Sequence, residues 1–183
     1  MQRGGRSGPT QADEILDSRP RRRFPPPRTM RRVTIHTDGA CRGNPGPGGY
    51  GVVMVCGKHR LELAKGFAHT TNNRMELMAT IVALETLKEP CEVEVLSDSR
   101  YVIDAMTKNW LKGWKAKGWR TAANQPVKNI DLWLRLATAA ETHKVAWKWL
   151  RGHAGHKENE RCDVLAVKAA TGRDLPVDAG FEA

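Results

Sequence analysis

Four acidic residues lie at positions where an unpaired charge is costly. Asp38 and Asp98 each end a segment with the composition of a β-strand, whereas Glu76 and Asp163 lie within segments of helical character. Taken singly, each acid has an ordinary explanation. Asp38 could be a turn residue, Asp98 could cap the next helix, and the other two could be solvated helix residues.

Taken together, the four acids indicate a metal site. The ends of adjacent strands are where open α/β sheets place their sites, and converging carboxylates without basic partners repel one another unless a cation holds them. Hard oxygen ligands favour Mg²⁺ or Mn²⁺. Two such ions, roughly 3.5–4 Å apart, can position a water and stabilise the leaving oxygen in phosphodiester hydrolysis. That chemistry needs no Ser or Cys nucleophile.

The hydrophobic pattern predicts an α/β fold with a mixed five-stranded sheet. The first three predicted strands are joined by short connections, so they should be antiparallel, and two parallel strands should follow helical crossovers. The predicted strands are Val33–Thr37, Tyr50–Cys56, Leu61–Ala68, Glu92–Ser97 and Val145–Leu150. The predicted helices cover 71–88, 100–108 and 129–141, and a last helix runs from the 151–157 loop to Ala170.

The two ends of the chain differ in composition from this domain, which covers residues 31–170. Residues 1–30 hold seven arginines, three acids and few apolar residues, so we expect a disordered extension. It could be a nucleic-acid tether, an inert tail, or sequence upstream of a true start at Met30, and its acids disfavour a transit peptide. Residues 171–183 are expected to form a flexible tail.

The bulk composition favours a cytoplasmic protein with a polyanionic partner. The net charge is +10, and nucleic acid is the commonest partner of so basic a chain. No apolar run approaches the ~20 residues that span a bilayer, and no secretory signal is visible. Four widely spaced cysteines without a CxxC pair disfavour a zinc site, and we expect them to be reduced.

Four sequence blocks around the acids carry a family resemblance. They are TDGACRGNPGPGGYG (37–51), TTNNRMELMA (70–79), SDSRYV (97–102) and GHAGHKENERCD (152–163). In this order they resemble type 1 ribonuclease H of the bacterial kind over residues 31–170. The resemblance implies the ribonuclease H-like fold and an endonuclease, expected to be a monomer. Such an enzyme hydrolyses the RNA strand of RNA/DNA hybrids and leaves 5′-phosphate and 3′-hydroxyl ends.

The resemblance also implies the catalytic residues. It assigns Asp38, Glu76, Asp98 and Asp163 as ligands of two Mg²⁺ ions, with Mn²⁺ as a possible substitute. It assigns His153 to proton transfer or product release, a role that suits an imidazole because its pKa lies near neutrality. The alternative for His153 is an ordinary loop histidine.

The same resemblance divides the substrate contacts between the two strands of the hybrid. It places Cys41, Gly43, Asn44 and Asn73 on the RNA strand, whose 2′-hydroxyl distinguishes it from DNA. It places Thr71 and Asn129 in a pocket for a DNA phosphate, and Thr71 precedes a helix, where anions bind readily. The family often has an arginine where this chain has His69, so the strength of that pocket is in question.

Residues 109–120 resemble a basic protrusion that binds DNA in this family. Basic side chains neutralise phosphates, and aromatic faces pack on sugars or bases. We expect Trp110 to meet the DNA, and Trp114 and Trp119 to be mainly structural. The remaining candidate contacts are Lys112, Lys115, Lys117 and Arg120.

Three other functions are weighed against this one. Another nuclease or an integrase of the same fold would share the acids but not the TTNNRMEL and GHAGHKENERCD blocks. A catalytically silent hybrid-binding module is disfavoured by the presence of all four acids and His153. A non-specific basic RNA-binding protein is disfavoured by the specificity of the four blocks.

Overall fold

A single five-stranded sheet forms the centre of the protein. The computed structural model describes residues 30–152 and 154–181. The predicted extension, apart from Met30, lies outside this part of the chain. The strands are β1 (Arg31–Cys41), β2 (Gly46–Cys56), β3 (His59–Thr70), β4 (Cys91–Ser97) and β5 (Lys144–Trp149).

The order of the strands confirms the predicted mixed sheet. The strands lie in the order β3-β2-β1-β4-β5. β2 is antiparallel to both β1 and β3, whereas β4 is parallel to both β1 and β5. This arrangement places the carboxyl ends of β1 and β4 side by side.

Helices cover both faces of the sheet. They are α1 (Asn72–Thr86), α2 (Arg100–Thr107), α3 (Trp110–Ala116), α4 (Ile130–Glu141) and α5 (Lys157–Ala170). The buried side chains of α1 and α4 form a core with alternate residues of β1, among them Ile35 and the fully buried Trp133 of α4. α5 packs on the opposite face, against β1 and β2. No helix within the described residues is long and apolar enough to cross a membrane.

The N-terminal caps of α1 and α2 show whether Asp98 caps the helix that follows it. Thr71 Oγ1 accepts a hydrogen bond from the Arg74 backbone N–H at 3.4 Å, as expected for the cap of α1. The cap of α2 is Ser99, whose hydroxyl accepts from the Val102 N–H at 3.3 Å. The carboxylate of Asp98 therefore does not cap this helix and remains available for other chemistry.

The glycine-rich segment after β1 is more regular than the sequence indicates. Residues 43–49 are predicted as a turn, yet β2 begins at Gly46 and pairs with β1 along this stretch. Glycine is needed here because α5 lies very close: a Cβ on Gly51 would sit 2.1 Å from the carbonyl oxygen of Cys162. Packing against α5 explains Gly49 and Gly51, whereas Gly43, with a φ of +84°, does lie in a turn as the composition suggests.

The C-terminal segment also differs from the expected flexible tail. The Ala68 N–H donates to the Pro176 carbonyl at 2.9 Å. Asp178 is only 3% exposed and accepts from Arg74 Nε at 2.7 Å. No local pattern indicates this ion pair, because its partners are 104 residues apart in the sequence.

We expect Gly51→Ala to lower the free energy of unfolding by about 3 kcal/mol, because α5 or β2 must move to admit the methyl group. Gly113→Ala on α3 is the control, since nothing lies within 4 Å of its added Cβ. That control should raise stability by up to about 1 kcal/mol through helix propensity. Urea denaturation of both variants measures the difference, and equal stabilities would contradict the close packing of α5.

Candidate active site

Two of the four acids lie side by side where the parallel pairing of β1 with β4 ends. The prediction that Asp38 ends its strand is wrong, because β1 continues to Cys41 by pairing with β2. Thr37 of β1 pairs with Ser97 of β4, so Asp38 and Asp98 are the next residues on neighbouring strands. Trp149 of β5 stabilises the backbone at this end of the sheet, since its Nε1 donates to the Asp98 carbonyl at 3.0 Å. The sheet itself therefore fixes the backbone of both acids.

Asp38 interacts electrostatically with each of the other three acids. Burial raises the pKa of Asp38 to about 8, and repulsion from Asp98, Asp163 and Glu76 contributes to the increase. The Gly39 N–H donates to Asp38 Oδ1 at 2.7 Å, and this hydrogen bond lowers the pKa of Asp38. The structure thus brings together the four acids that the sequence analysis singles out.

Glu76 reaches the site from α1, which lies against β1. A Cβ on Gly39 would lie 2.6 Å from the Glu76 backbone nitrogen, so glycine allows this approach. Asn72 Nδ2 donates to Glu76 Oε1 at 2.9 Å, and the Ser99 hydroxyl donates to Oε2. Burial raises the pKa of Glu76 to about 7, while the Ser99 hydrogen bond lowers it.

Sequence reasoning did not identify Asn72 and Ser99 as site residues. Both stand within the sequence blocks, Asn72 one helical turn before Glu76 and Ser99 directly after Asp98. A polar residue four positions before a helical acid can reach that acid, and this spacing is the signal that could have found Asn72.

The loop before α5 packs on Asp98. A Cβ on Gly152 would lie 2.7 Å from Asp98 Oδ2, so this glycine lets the loop approach the carboxylate. His153, the predicted proton-transfer residue, lies outside the described residues.

The donor set suits a hard divalent cation. Burial is the largest cause of the raised pKa of both Asp38 and Glu76, and repulsion from other acids adds to it. In residues 30–152 and 154–181, no group of three His, Cys, Asp or Glu side chains is close enough together to hold a metal ion. Carboxylate oxygens are the ligands that Mg²⁺ and Mn²⁺ prefer, so the residue types fit such ions.

A cavity beside the acids brings both predicted sets of substrate contacts together. It has a volume of about 820 Å³, and Asn44, Asn73, Thr71 and Asn129 line it. Asn44 Oδ1 accepts from the Asn72 N–H at 3.2 Å, which ties the β1–β2 connection to the start of α1. The candidate RNA-strand and DNA-strand contacts therefore border one continuous surface.

The remaining RNA-strand candidates lie next to this cavity. Cys41 Sγ is 3.4 Å from the Thr70 carbonyl oxygen, so the thiol links β1 to the end of β3. Burial raises the pKa of this thiol. Gly43 has a φ of +84°, a left-handed conformation that favours glycine.

His69 does not join the predicted phosphate pocket. Among the described residues that line the cavity, Thr71 and Asn129 are present and His69 is not. The His69 ring instead packs on Phe181, with centroids 5.3 Å apart, and Phe181 lines the cavity. Phe181 of the C-terminal segment thus contacts the His69 ring and also lines the predicted pocket.

The basic protrusion consists of α3 and the residues that follow it. Trp110 is 38% exposed, whereas Trp114 and Trp119 pack against the core, as the sequence analysis predicts. Trp114 stacks edge-on against buried Trp133, with centroids 5.3 Å apart. The exposed basic residues are Lys112, Lys115, Lys117 and Arg120. One Arg120 nitrogen donates to the Asn124 carbonyl at 2.8 Å.

Comparison with known proteins identifies the family. A sequence model described as RNase H matches residues 30–171. The chain belongs to the RNase H family. Ribonuclease H of Shewanella amazonensis is 60% identical over 153 residues, covering 84% of this chain and 97% of the relative. Ribonuclease H of Aeromonas hydrophila is 57% identical, covering 84% of this chain and 99% of the relative. These findings confirm the resemblance to the bacterial type 1 enzymes.

Solved structures agree with this family. The crystal structure of LC9-RNase H1, described as a type 1 RNase H with the type 2 active-site motif, gives a TM-score of 0.69 at 35% identity. The match covers 77% of this chain and 72% of that one. LC11-RNase H1 in complex with an RNA/DNA hybrid gives 0.58 at 27% identity, covering 75% of this chain and 96% of that one.

We expect Asp38→Asn to stabilise the metal-free protein, increasingly as the pH rises. The pKa of Asp38 is about 8 in the folded chain, against an ordinary value of 3.8. The wild-type carboxyl therefore contributes its full stability below the lower value and loses it as the pH rises through the higher one. The gain from Asn should reach about 2 kcal/mol above that range.

Thermal unfolding in EDTA across this pH range measures the effect. Asp174→Asn is the control, because Asp174 is exposed and lies outside the acid cluster. A variant less stable than wild type at alkaline pH would contradict the electrostatic description of Asp38.

Proposed function

We propose that Asp38, Glu76, Asp98 and Asp163 hold two Mg²⁺ ions, with Mn²⁺ as a substitute, and that this site cuts the RNA strand of RNA/DNA hybrids. As a member of the RNase H family, the chain is a metal-dependent endoribonuclease of such hybrids. The observation that carries the assignment is the pairing of Thr37 with Ser97, which sets Asp38 beside Asp98. Burial, together with repulsion from Asp98, Asp163 and Glu76, raises the pKa of Asp38 to about 8. When bound, the two ions position the attacking water and stabilise the leaving oxygen.

The protein's own residues prepare this reaction. Asn72 and Ser99 orient Glu76 through both of its oxygens, so its carboxylate is held before any ion binds. Attack on the phosphorus breaks the bond to the 3′-oxygen and leaves 5′-phosphate and 3′-hydroxyl ends. His153 follows Gly152, which lies against Asp98, and we assign it to proton transfer or product release.

The substrate lies across the cavity beside the acids. Asn44 and Asn73 carry both donors and acceptors, as recognition of a 2′-hydroxyl requires. Cys41 and Gly43 adjoin them on the RNA strand. Thr71 and Asn129 bind a phosphate of the DNA strand, and the protrusion binds the DNA farther along. All four acids come from one chain, so the site needs no second copy, and we expect a monomer.

We expect Asp98→Asn to keep the fold and to reduce cleavage to about a thousandth or less, because one anionic ligand is lost. Labelled RNA/DNA, RNA/RNA and DNA/DNA duplexes are compared in Mg²⁺, Mn²⁺ and EDTA. The wild type should cut only the RNA of the hybrid, and only with a metal. Asp104→Asn on α2 is the control, since Asp104 pairs with Lys108. Unchanged Mg²⁺-dependent cleavage by Asp98→Asn would overturn the ligand assignment, and an inert wild type would indicate a hybrid-binding module.

We expect replacement of Lys112, Lys115 and Lys117 by Ala to weaken hybrid binding and to flatten its salt dependence, by roughly one slope unit for each phosphate that the protein no longer neutralises. Affinity measured over a range of salt concentrations tests this. The control replaces three exposed lysines at the opposite end of the sheet, Lys58, Lys88 and Lys144, and so removes the same charge. Equal slopes in the two triple variants would show that net charge alone drives binding.

A further inference from the structure

The C-terminal segment, residues 176–181, lies beside the candidate phosphate pocket. Its backbone joins the end of β3 through the bond from the Ala68 N–H to the Pro176 carbonyl. The Thr70 hydroxyl, next to the cap of α1, donates to Asp178 Oδ2 at 2.7 Å. The Phe181 N–H donates to the Asp178 carbonyl at 3.0 Å and closes a tight turn. The segment is thus attached directly before Thr71.

The anchor of this segment is a buried ion network around Arg74. Arg74 is 2% exposed and donates to both oxygens of Asp178, at 2.7 and 2.9 Å. It also donates to both oxygens of Asp131, at 3.0 and 2.8 Å. Burial alone would raise the pKa of Asp178, but the bonds from Arg74 and Thr70 lower it below its ordinary value. One planar guanidinium therefore has its orientation fixed by two acidic side chains.

This network extends to a residue of the pocket. Arg74 Nη1 donates to Asn129 Oδ1 at 3.4 Å, and Asn129 Nδ2 donates to the Tyr101 hydroxyl at 3.1 Å. Because the amide oxygen already faces a donor, Asn129 is left with an N–H rather than an oxygen to offer to a ligand. A phosphate accepts hydrogen bonds, so this orientation is the one that binds it.

The segment also forms part of the pocket wall. Gly180 and Phe181 line the same cavity as Thr71 and Asn129. A Cβ on Gly180 would lie 2.2 Å from Asp131 Oδ2, so the backbone packs directly on the ion network. The Phe181 ring lies 5.9 Å from the Arg74 guanidinium carbon.

We propose that two residues of the C-terminal segment, Asp178 and Phe181, form part of the substrate site. Asp178 is a positioning residue: through Arg74 it keeps the Asn129 amide turned toward a phosphate of the DNA strand. Phe181 forms the wall that confines this phosphate. The inference rests on the proposed function, because it assumes that Thr71 and Asn129 bind the DNA strand of a hybrid.

The test compares wild type with Asp178→Asn and Phe181→Ala on hybrids whose DNA strand carries one neutral methylphosphonate at each linkage in turn. The KM of wild type should rise by about tenfold on the hybrid in which one particular linkage is neutral, because a charge-assisted hydrogen bond to that phosphate is lost. Asp178→Asn should raise the KM for the unmodified hybrid by about as much, with kcat within about twofold, and should be insensitive to that linkage. Phe181→Ala should give a smaller increase in KM.

Two controls separate this role from loss of stability. Val177→Ala alters the same segment at a side chain that is 77% exposed, and Val93→Ala weakens the buried core away from the cavity. Both should retain the sensitive linkage and the wild-type KM. If Asp178→Asn does not fold, Phe181→Ala carries the test.

The outcomes separate the two proposals. If wild type has a sensitive linkage and both variants keep it with unchanged KM, the positioning role is overturned and the proposed function stands. If wild type cuts hybrids without any sensitive linkage, the phosphate pocket and the role of the segment both fail. If wild type does not cut hybrids, the proposed function fails, and this inference fails with it.

Discussion

Repulsion among partly buried carboxylates is the constraint around which this fold is arranged. Asp38 lies within β1 and Asp98 directly follows β4, its parallel neighbour, and α1 and α5 bring Glu76 and Asp163 to them from opposite faces of the sheet. Burial and mutual repulsion oppose ionisation, as the raised pKa of Asp38 shows. The metal-free protein therefore holds an unfavourable cluster at the edge of its sheet, and hydrogen bonding elsewhere must offset that cost.

Hydrogen bonds from neighbouring residues hold the acids of this cluster in place. Asn72 and Ser99 hold Glu76, and Trp149 holds the backbone at Asp98. Farther out, the ion network of Arg74 joins the start of α1 to the C-terminal segment. Residues that touch the acids are thus linked to residues that border the cavity. The geometry of the site and the shape of the substrate surface therefore depend on one connected set of contacts.

The sequence predicted the sheet and the positions of the acids because those features leave local patterns. Alternation and short connections predicted which strands are antiparallel and which are parallel, and the acids lie near the ends of predicted strands or in helices whose periodicity is clear. Contacts between distant residues left no such pattern. The ion pair of Asp178 joins positions 104 apart, and Gly49 and Gly51 of β2 make room for a helix that begins about a hundred residues later. For α2 the sequence suggested Asp98 as the cap, and only the structure showed that the Ser99 hydroxyl accepts the hydrogen bond from the Val102 N–H.

The contact between α5 and β2 has a consequence for variation within the family. At Gly51 the two elements meet backbone to backbone, beside Cys162 and directly before Asp163. No side chain sets their separation at that point, so exchanges of side chains elsewhere on α5 need not move Asp163 toward or away from Asp38. The outward-facing positions of this helix, such as Val164 and Val167, are therefore free to diverge between species while the reacting centre keeps its dimensions.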